Sequence, residues 1–308
     1  MTEKAVKNMD FLEFKESLAQ QEGVHFLTAT GKEMYGIYKH DVVYEEVDGI
    51  KRTLQLVIPE TKEAEVRKYP LLLWVQGSAW LKQDNYKRLT VMARLAQKGF
   101  VAGILQYRES SLAAFPAPVE DAKAGIRFLR AHADEYKVDA NNVFILGDSS
   151  GGHTALLTAF TQGQKNVLDS DLYSEYSAEV NAVVAFNPVT DICQPDFPTT
   201  PNQGKADSPE GMEIGNKDVY ENPTLSEKLI CTNYISEKVS IPPVLLMHGA
   251  ADDTVSYNQS IRLYKKLLET RKDATFYVIE GAKHGDVAYY TDENLDRVEA
   301  FIRGNLRK

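Results

Sequence analysis

Leu146-Gly147-Asp148-Ser149-Ser150-Gly151-Gly152-His153 (LGDSSGGH) follows the short apolar run Val143-Phe144-Ile145. Residues 147–151 fit G-x-S-x-G, between a run with the pattern of a strand and a segment with the pattern of a helix. That is the setting of a nucleophile elbow, where a sharp turn lifts a serine off the end of a strand. Such a turn needs small residues two before and two after the serine, because strand and helix approach closely there. Only Ser149 has glycine at both offsets; for Ser150 the flanking residues are Asp148 and Gly152. Ser149 is therefore the nucleophile candidate. Ser150 starts the helix, where its unpaired backbone N–H can face an oxyanion; its side chain is assigned no part. A phosphate loop needs Lys-Ser or Lys-Thr after its last glycine, and here His153-Thr154 follows. A dinucleotide fingerprint does not begin at Gly147-Asp148-Ser149 either. A plain glycine-rich turn stays open until partners for the serine are found.

A serine hydroxyl is a poor nucleophile without a base to take its proton. With a strand–serine–helix elbow, acid and histidine follow in that order. Of His25, His40, His132, His153, His248 and His284, only the last two lie well beyond Ser149. His153 sits one helical turn past the elbow and is expected to pack there. Leu245-Leu246-Met247-His248-Gly249-Ala250-Ala251-Asp252 reads as a buried strand running into a loop with a carboxylate. Asp252 is the candidate acid, with Asp253 as its neighbouring fallback. His284 is then the remaining downstream histidine, in Glu280-Gly281-Ala282-Lys283-His284-Gly285-Asp286, between the last strand and the last helix.

Outward from the elbow, strands and helices alternate. Val42–Val47 and Thr53–Pro59 read as paired strands joined at Asp48-Gly49. Leu71–Val75, Phe100–Leu105, Asn142–Leu146, Val180–Phe186, Val244–Met247 and Thr275–Ile279 read as further strands. Helices are expected over Tyr86–Gln97, Ala117–Tyr136, Ser150–Thr161, Ser256–Arg271 and Thr291–Leu306. This order predicts an α/β fold with a mostly parallel central sheet flanked by helices, as a single domain over residues 1–308. Asp191–Ser240 breaks the alternation. It is rich in Pro, Gly and Asn, and too long for a structureless loop without a role. It is read as a cap-like insertion, about 191–240, before the acid-bearing strand, with a short helix near Thr224–Cys231. A disordered surface loop is the alternative.

Composition narrows the function classes. The chain has 308 residues and a formal net charge of −9, with Lys and Arg scattered. Nucleic acid is not the expected partner. There is no apolar run of membrane length, and MTEKAVKNMDFLEFKESLAQ has no apolar leader core, so no membrane association is expected. Cys193 and Cys231 read as free thiols of a reducing compartment, which points to the cytoplasm. There is no H-E-x-x-H and no zinc spacing of cysteines, so neither metal nor organic cofactor is expected.

GDSSGGH, HGAADDTV, GAKHG and QGSAW together resemble the α/β-hydrolase esterase/lipase group related to hormone-sensitive lipase. The closer resemblance is to its bacterial feruloyl/acetyl-esterase-like branch, nearly continuous through FPAPVEDAKAGIRFLRAHADEYKVDANNVFILGDSSGGH. It covers about residues 40–190 and 241–306 and leaves the insertion unmatched. It implies an α/β-hydrolase fold and a triad of Ser149, His284 and Asp252. It also implies oxyanion donors from the backbone of Ser78, Ala79 and Ser150. Gln76-Gly77-Ser78-Ala79 departs from the family's His-Gly-Gly-Gly, so two side chains stand where glycines are usual. Both these side chains and the insertion predict a small, covered acyl pocket. The implied activity is hydrolysis of short-acyl esters of small soluble substrates, acetylated or feruloylated sugars among them. An amidase, arylformamidase or peptidase would share the triad, and a non-catalytic ligand-binding protein would share the fold. The expected partner is a small-molecule ester; a homo-oligomer is left open.

Overall fold

The computed structural model describes residues 15–16, 19, 21–47, 49–61, 67–164, 167–197 and 200–307. The chain divides into two compact units. The smaller takes residues 1–33 and 61–64, the larger Met34–Glu60 and Glu65–Lys308. In the smaller, Glu33 Oε1 accepts from the Thr30 backbone N–H and hydroxyl. The larger carries the sheet and every candidate site residue. Asp48 of the expected turn, and most of the first twenty residues, lie outside the described set.

Eight strands form one sheet among the described residues: β1 (Met34–Val47), β2 (Ile50–Thr61), β3 (Tyr69–Val75), β4 (Val101–Leu105), β5 (Val138–Asp148), β6 (Ala182–Phe186), β7 (Val244–Gly249) and β8 (Ala274–Ile279). Their order is β1-β2-β4-β3-β5-β6-β7-β8. β2 runs antiparallel to β4, and from β4 to β8 every neighbouring pair is parallel. The expected mostly parallel sheet is therefore present. The helices are α1 (Leu89–Gln97), α2 (Ala117–Ala131), α3 (Ser149–Phe160), α4 (Tyr257–Glu269) and α5 (Asp292–Gly304).

The continuous apolar runs follow from burial on both faces. In β3, Leu71, Leu73 and Val75 enter one core with Val119, Ile126 and Leu129 of α2 and Leu263 and Leu267 of α4. Leu72 and Trp74 point the other way, into a core with Val91, Met92 and Leu95 of α1 and Leu295, Val298 and Ile302 of α5. Burying each such side chain contributes roughly 1.5–3 kcal/mol. The two cores fix which strand ends open to solvent, and the site lies at the C-terminal ends of the parallel strands. No helix among the described residues is long and apolar enough to cross a membrane.

Helix ends differ from the sequence reading. The Ser256 hydroxyl accepts from Asn258 N–H and caps α4, so the helix starts one residue later. Thr291 does the same for α5 through Asn294 N–H. The insertion is built from short pieces: helices Pro209–Glu213 and Pro223–Ser226, then 3₁₀ turns Glu227–Leu229 and Cys231–Tyr234. The expected short helix thus breaks into three turns, and Pro209–Glu213, capped by Ser208 Oγ, was not foreseen. Ile192, Ile214, Val219 and Leu229 of this segment pack with Trp80 in a separate apolar cluster.

Candidate active site

β5 ends at Asp148, and α3 begins at Ser149 with no intervening loop. Ser149 has φ 54°, in the left-handed region, which costs a non-glycine residue about 1–3 kcal/mol. The flanking glycines make the turn feasible. A Cβ on Gly147 would stand 2.4 Å from the Gly151 carbonyl oxygen, and one on Gly151 2.2 Å from that of Val75.

The structure brings together the three residues expected to cooperate. His284 Nε2 lies 2.9 Å from Ser149 Oγ, and His284 Nδ1 lies 2.8 Å from Asp252 Oδ2. A carboxylate can only accept, so the proton sits on Nδ1 and leaves Nε2 free to accept from the serine hydroxyl. Asp252 Oδ1 accepts from the N–H groups of Thr254 and Val255, at 2.9 and 2.8 Å. Burial pushes the Asp252 carboxyl up. Hydrogen bonds from His248 and His284, the charge of His284 and the Val255 N–H outweigh burial and hold it well below its ordinary value. Asp253, the fallback, is exposed and turned to Lys283 at 3.2 Å.

His248 was passed over because it precedes the acid. It is fully buried, with Nε2 3.2 Å from Asp252 Oδ2 and 2.9 Å from the Val255 carbonyl oxygen. The carbonyl only accepts, so Nε2 carries a proton there, and the Ser260 hydroxyl donates to Nδ1 at 2.8 Å. Asp252 is thus gripped from two imidazoles. The available signal was spacing: H-G-A-A-D places the histidine at the end of β7, four residues before the acid.

The loop after β3 corrects one expected donor. The Ser78 N–H donates to Ser150 Oγ at 3.0 Å, so it is not free to face an oxyanion. The N–H groups of Ala79 and Ser150 have no partner among the described residues. Ala79 and Trp80 take φ 55° and 57°, which turns the loop there. The Ser78 hydroxyl donates to the Leu81 carbonyl at 2.6 Å and stands 3.0 Å from Tyr107 Oη, away from the pocket. Of the side chains expected to crowd the pocket, Ala79 and Trp80 border the cavity and Ser78 does not.

Both neighbours of Ser149 fasten this loop. Ser150 Oγ, fully buried, accepts from Ser78 and also from Trp80 N–H at 3.1 Å. Asp148 accepts from Gly77 N–H at 3.1 Å, Trp74 Nε1 at 2.9 Å and the Arg88 guanidinium at 2.8 Å. His153 packs as expected and also ties down the insertion. Its Nε2 lies 2.8 Å from the Leu229 carbonyl oxygen and its ring meets Trp80 edge-on. Burial pushes His153 down to about 4 against that hydrogen bond, so it is neutral near pH 7. Behind Trp80, Ser110 Oγ lies 2.7 Å from Glu213 Oε2 and 3.1 Å from the Trp80 carbonyl oxygen. Burial pushes Glu213 up to about 8, partly countered by the Ser110 hydrogen bond.

A cavity of about 320 Å³ opens on Ser149. Ala79, Trp80 and Ser150 bound it from the sheet side, and Pro195, Gln203 and Glu210 bound it from the insertion. Among the described residues no group of three or more His, Cys, Asp or Glu side chains is placed to hold a metal ion.

A family model described as BD-FAE matches residues 54–267. Esterase LipC of Mycobacterium tuberculosis is 24% identical over 226 residues, 73% of this chain and 55% of LipC. The chain spans about half the length of the first curated relatives it matches, 55%, 47% and 51%. Among solved structures, a truncated carbohydrate esterase from gut microbiota aligns with 91% of this chain and 100% of its own, at 27% identity and TM-score 0.77. A bifunctional GH43-CE protein of Bacteroides eggerthii aligns with 91% of this chain and 39% of its own, at 28% identity and TM-score 0.76. With the sheet order above, these place the larger unit in the α/β-hydrolase fold.

Proposed function

As the chain belongs to the BD-FAE family, we propose that it hydrolyses carboxylic esters of short acyl groups by an acyl-enzyme route. One observation carries this reading: the unbroken hydrogen-bonded line from Ser149 Oγ through His284 to Asp252, at 2.9 and 2.8 Å, at the mouth of a cavity. His284 Nε2 takes the hydroxyl proton as Ser149 Oγ attacks the ester carbonyl. The carbonyl electron pair moves onto oxygen and is met by the N–H groups of Ala79 and Ser150. Collapse of this intermediate breaks the bond to the alcohol oxygen, which receives the proton from His284. Water then repeats the sequence on the acyl-enzyme and releases the acid. Asp252 keeps Nδ1 protonated and stabilises the imidazolium that forms.

The substrates we propose are small soluble esters such as acetylated or feruloylated sugars. The name of the carbohydrate esterase neighbour, and the polar side chains set in the mostly apolar cavity lining, Asp191, Gln203, Glu210 and Gln259 among them, support this. The unbridged thiols Cys193 and Cys231 fit the reducing, cytoplasmic setting that belongs to the proposal. Labelling with a fluorophosphonate, with rates for a p-nitrophenyl ester series and matched anilides, tests it. Expected are serine labelling, esters hydrolysed well ahead of amides, and kcat/KM highest from acetate to butyrate. Octanoate hydrolysed as fast as acetate would end the short-acyl part. Absence of labelling and turnover would end the hydrolase reading.

A further inference from the structure

We propose that Gln259, Asp191 and Glu210 form a subsite that reads a hydroxyl group of the substrate, an inference that rests on the ester-hydrolase reading above. Gln259 lies in α4 and is only 3% exposed, yet it lines the cavity that opens on Ser149. Its Oε1 accepts from Thr190 N–H at 2.6 Å and Asp191 N–H at 3.0 Å. An amide group is planar, so pinning Oε1 also fixes where Nε2 presents its two hydrogens. Nε2 has no partner among the described residues. It is thus open to an acceptor on whatever enters the cavity, and an occupant that excludes water without offering one leaves the donor unpaired at a cost.

Acceptors line the same cavity. Asp191 Oδ1 is held by the N–H groups of Cys193 and Gln194, at 2.8 and 3.2 Å. Glu210 Oε1 accepts from Gln203 Nε2 at 3.3 Å, and its Oε2 is buried without a partner. Asp253 also borders the cavity, but its carboxylate is exposed and turned to Lys283. Among the described residues no lysine or arginine lines the cavity. The subsite thus offers one fixed neutral donor beside carboxylate acceptors and no cation.

A hydroxyl is the group that matches this set, since it accepts from the amide and donates to a carboxylate. An alkyl group leaves the amide unpaired. A carboxylate meets the amide but is repelled by Asp191 and Glu210. The ligand class is therefore a neutral, hydroxyl-bearing ester, discriminated from both its deoxygenated and its acidic counterparts.

Three acetate esters test this: cyclohexyl acetate, a mono-O-acetyl methyl glycoside, and the corresponding acetylated methyl glycoside uronate. The wild-type kcat/KM is expected to favour the glycoside over cyclohexyl acetate by about tenfold, the scale of one net hydrogen bond, and over the uronate by at least as much. Gln259→Met should abolish the first preference, so that the glycoside loses about tenfold more than cyclohexyl acetate. Glu210→Gln should raise the uronate relative to the glycoside. Equal losses on all three esters in Gln259→Met would mark a purely structural residue and overturn the proposal. So would a wild-type enzyme indifferent to the hydroxyls. If Gln259→Met does not fold, the wild-type ratios and Glu210→Gln decide. Failure to hydrolyse p-nitrophenyl acetate at all would instead refute the ester reading beneath it.

Discussion

Ser150→Ala keeps the backbone N–H proposed to face the oxyanion and deletes only an oxygen. That oxygen accepts two N–H groups, from Ser78 at 3.0 Å and Trp80 at 3.1 Å. An unpaired buried donor costs about 1–3 kcal/mol. The Trp80 site is buried and takes the full cost, while the Ser78 site is partly open and takes the low end, for about 2–4 kcal/mol in total. Unfolding entropy near 2.1 cal/mol/K per residue, over 308 residues, converts this to a fall in Tm of about 3–6 °C. Ala79, whose N–H is the other proposed oxyanion donor, lies between the two released residues. Deleting such a donor costs about 10²–10³ in rate; loosening it should cost less, about 10–100-fold in kcat with KM nearly unchanged. Thermal melts and steady-state rates on p-nitrophenyl acetate measure both effects. A Ser150→Ala enzyme with wild-type Tm and kcat within twofold would refute the claim that this hydroxyl holds the loop.

Ser149→Ala should lower kcat by on the order of 10⁶ and abolish fluorophosphonate labelling, with the melt little altered; retained labelling would move the nucleophile. Asp252→Asn should lose about 10⁴ in kcat through the wrong imidazole tautomer, whereas Asp253→Asn should stay close to wild type; the reverse order would transfer the acid's part to the neighbour. Glu213, held at about 8 against an ordinary 4.5, keeps in the folded state a proton that the unfolded chain releases, so its stabilising effect is complete below pH 4.5 and is lost as pH rises to about 8. Glu213→Gln should therefore match wild type near pH 4.5 and melt progressively higher than wild type towards pH 8–9, and a pH-independent difference in Tm would count against it.

The elbow was legible because its demands are local. A turn so tight admits only glycine at 147 and 151, and that alone separates Ser149 from Ser150. The order of Asp252 and His284 followed from strand ends, which apolar runs mark well. The work of the Ser150 hydroxyl was not legible. It depends on the β3–β5 register that sets Val75 beside Gly147 and so brings residues 78 and 80 over the elbow, a separation of some seventy residues in sequence. The same pairing explains why Ser78 looked like a donor: spacing from the strand end does not reveal which N–H an adjacent side chain has captured. His248 hid in plain sight, since its role depends on a bend after Gly249 that returns Asp252 to it. The N-terminal part of β1 was missed because its outer residues are exposed on both faces, Tyr35, Ile37 and Tyr38 among them, so no alternation was visible.

The fastening of the loop after β3 to Asp148 and Ser150 has a consequence for how this protein can change. The proposed attacking oxygen and the two N–H groups proposed to receive the displaced charge share one rigid reference frame, set by adjacent parallel strands. The segment 191–240 contributes walls to the cavity but none of these three atoms. Reaction geometry and substrate choice are thereby modular. A substituted insertion that keeps the contacts of Leu229 and Glu213 behind Trp80 should alter which esters enter while the intrinsic reactivity of the serine towards a small, promiscuous phosphonate stays the same.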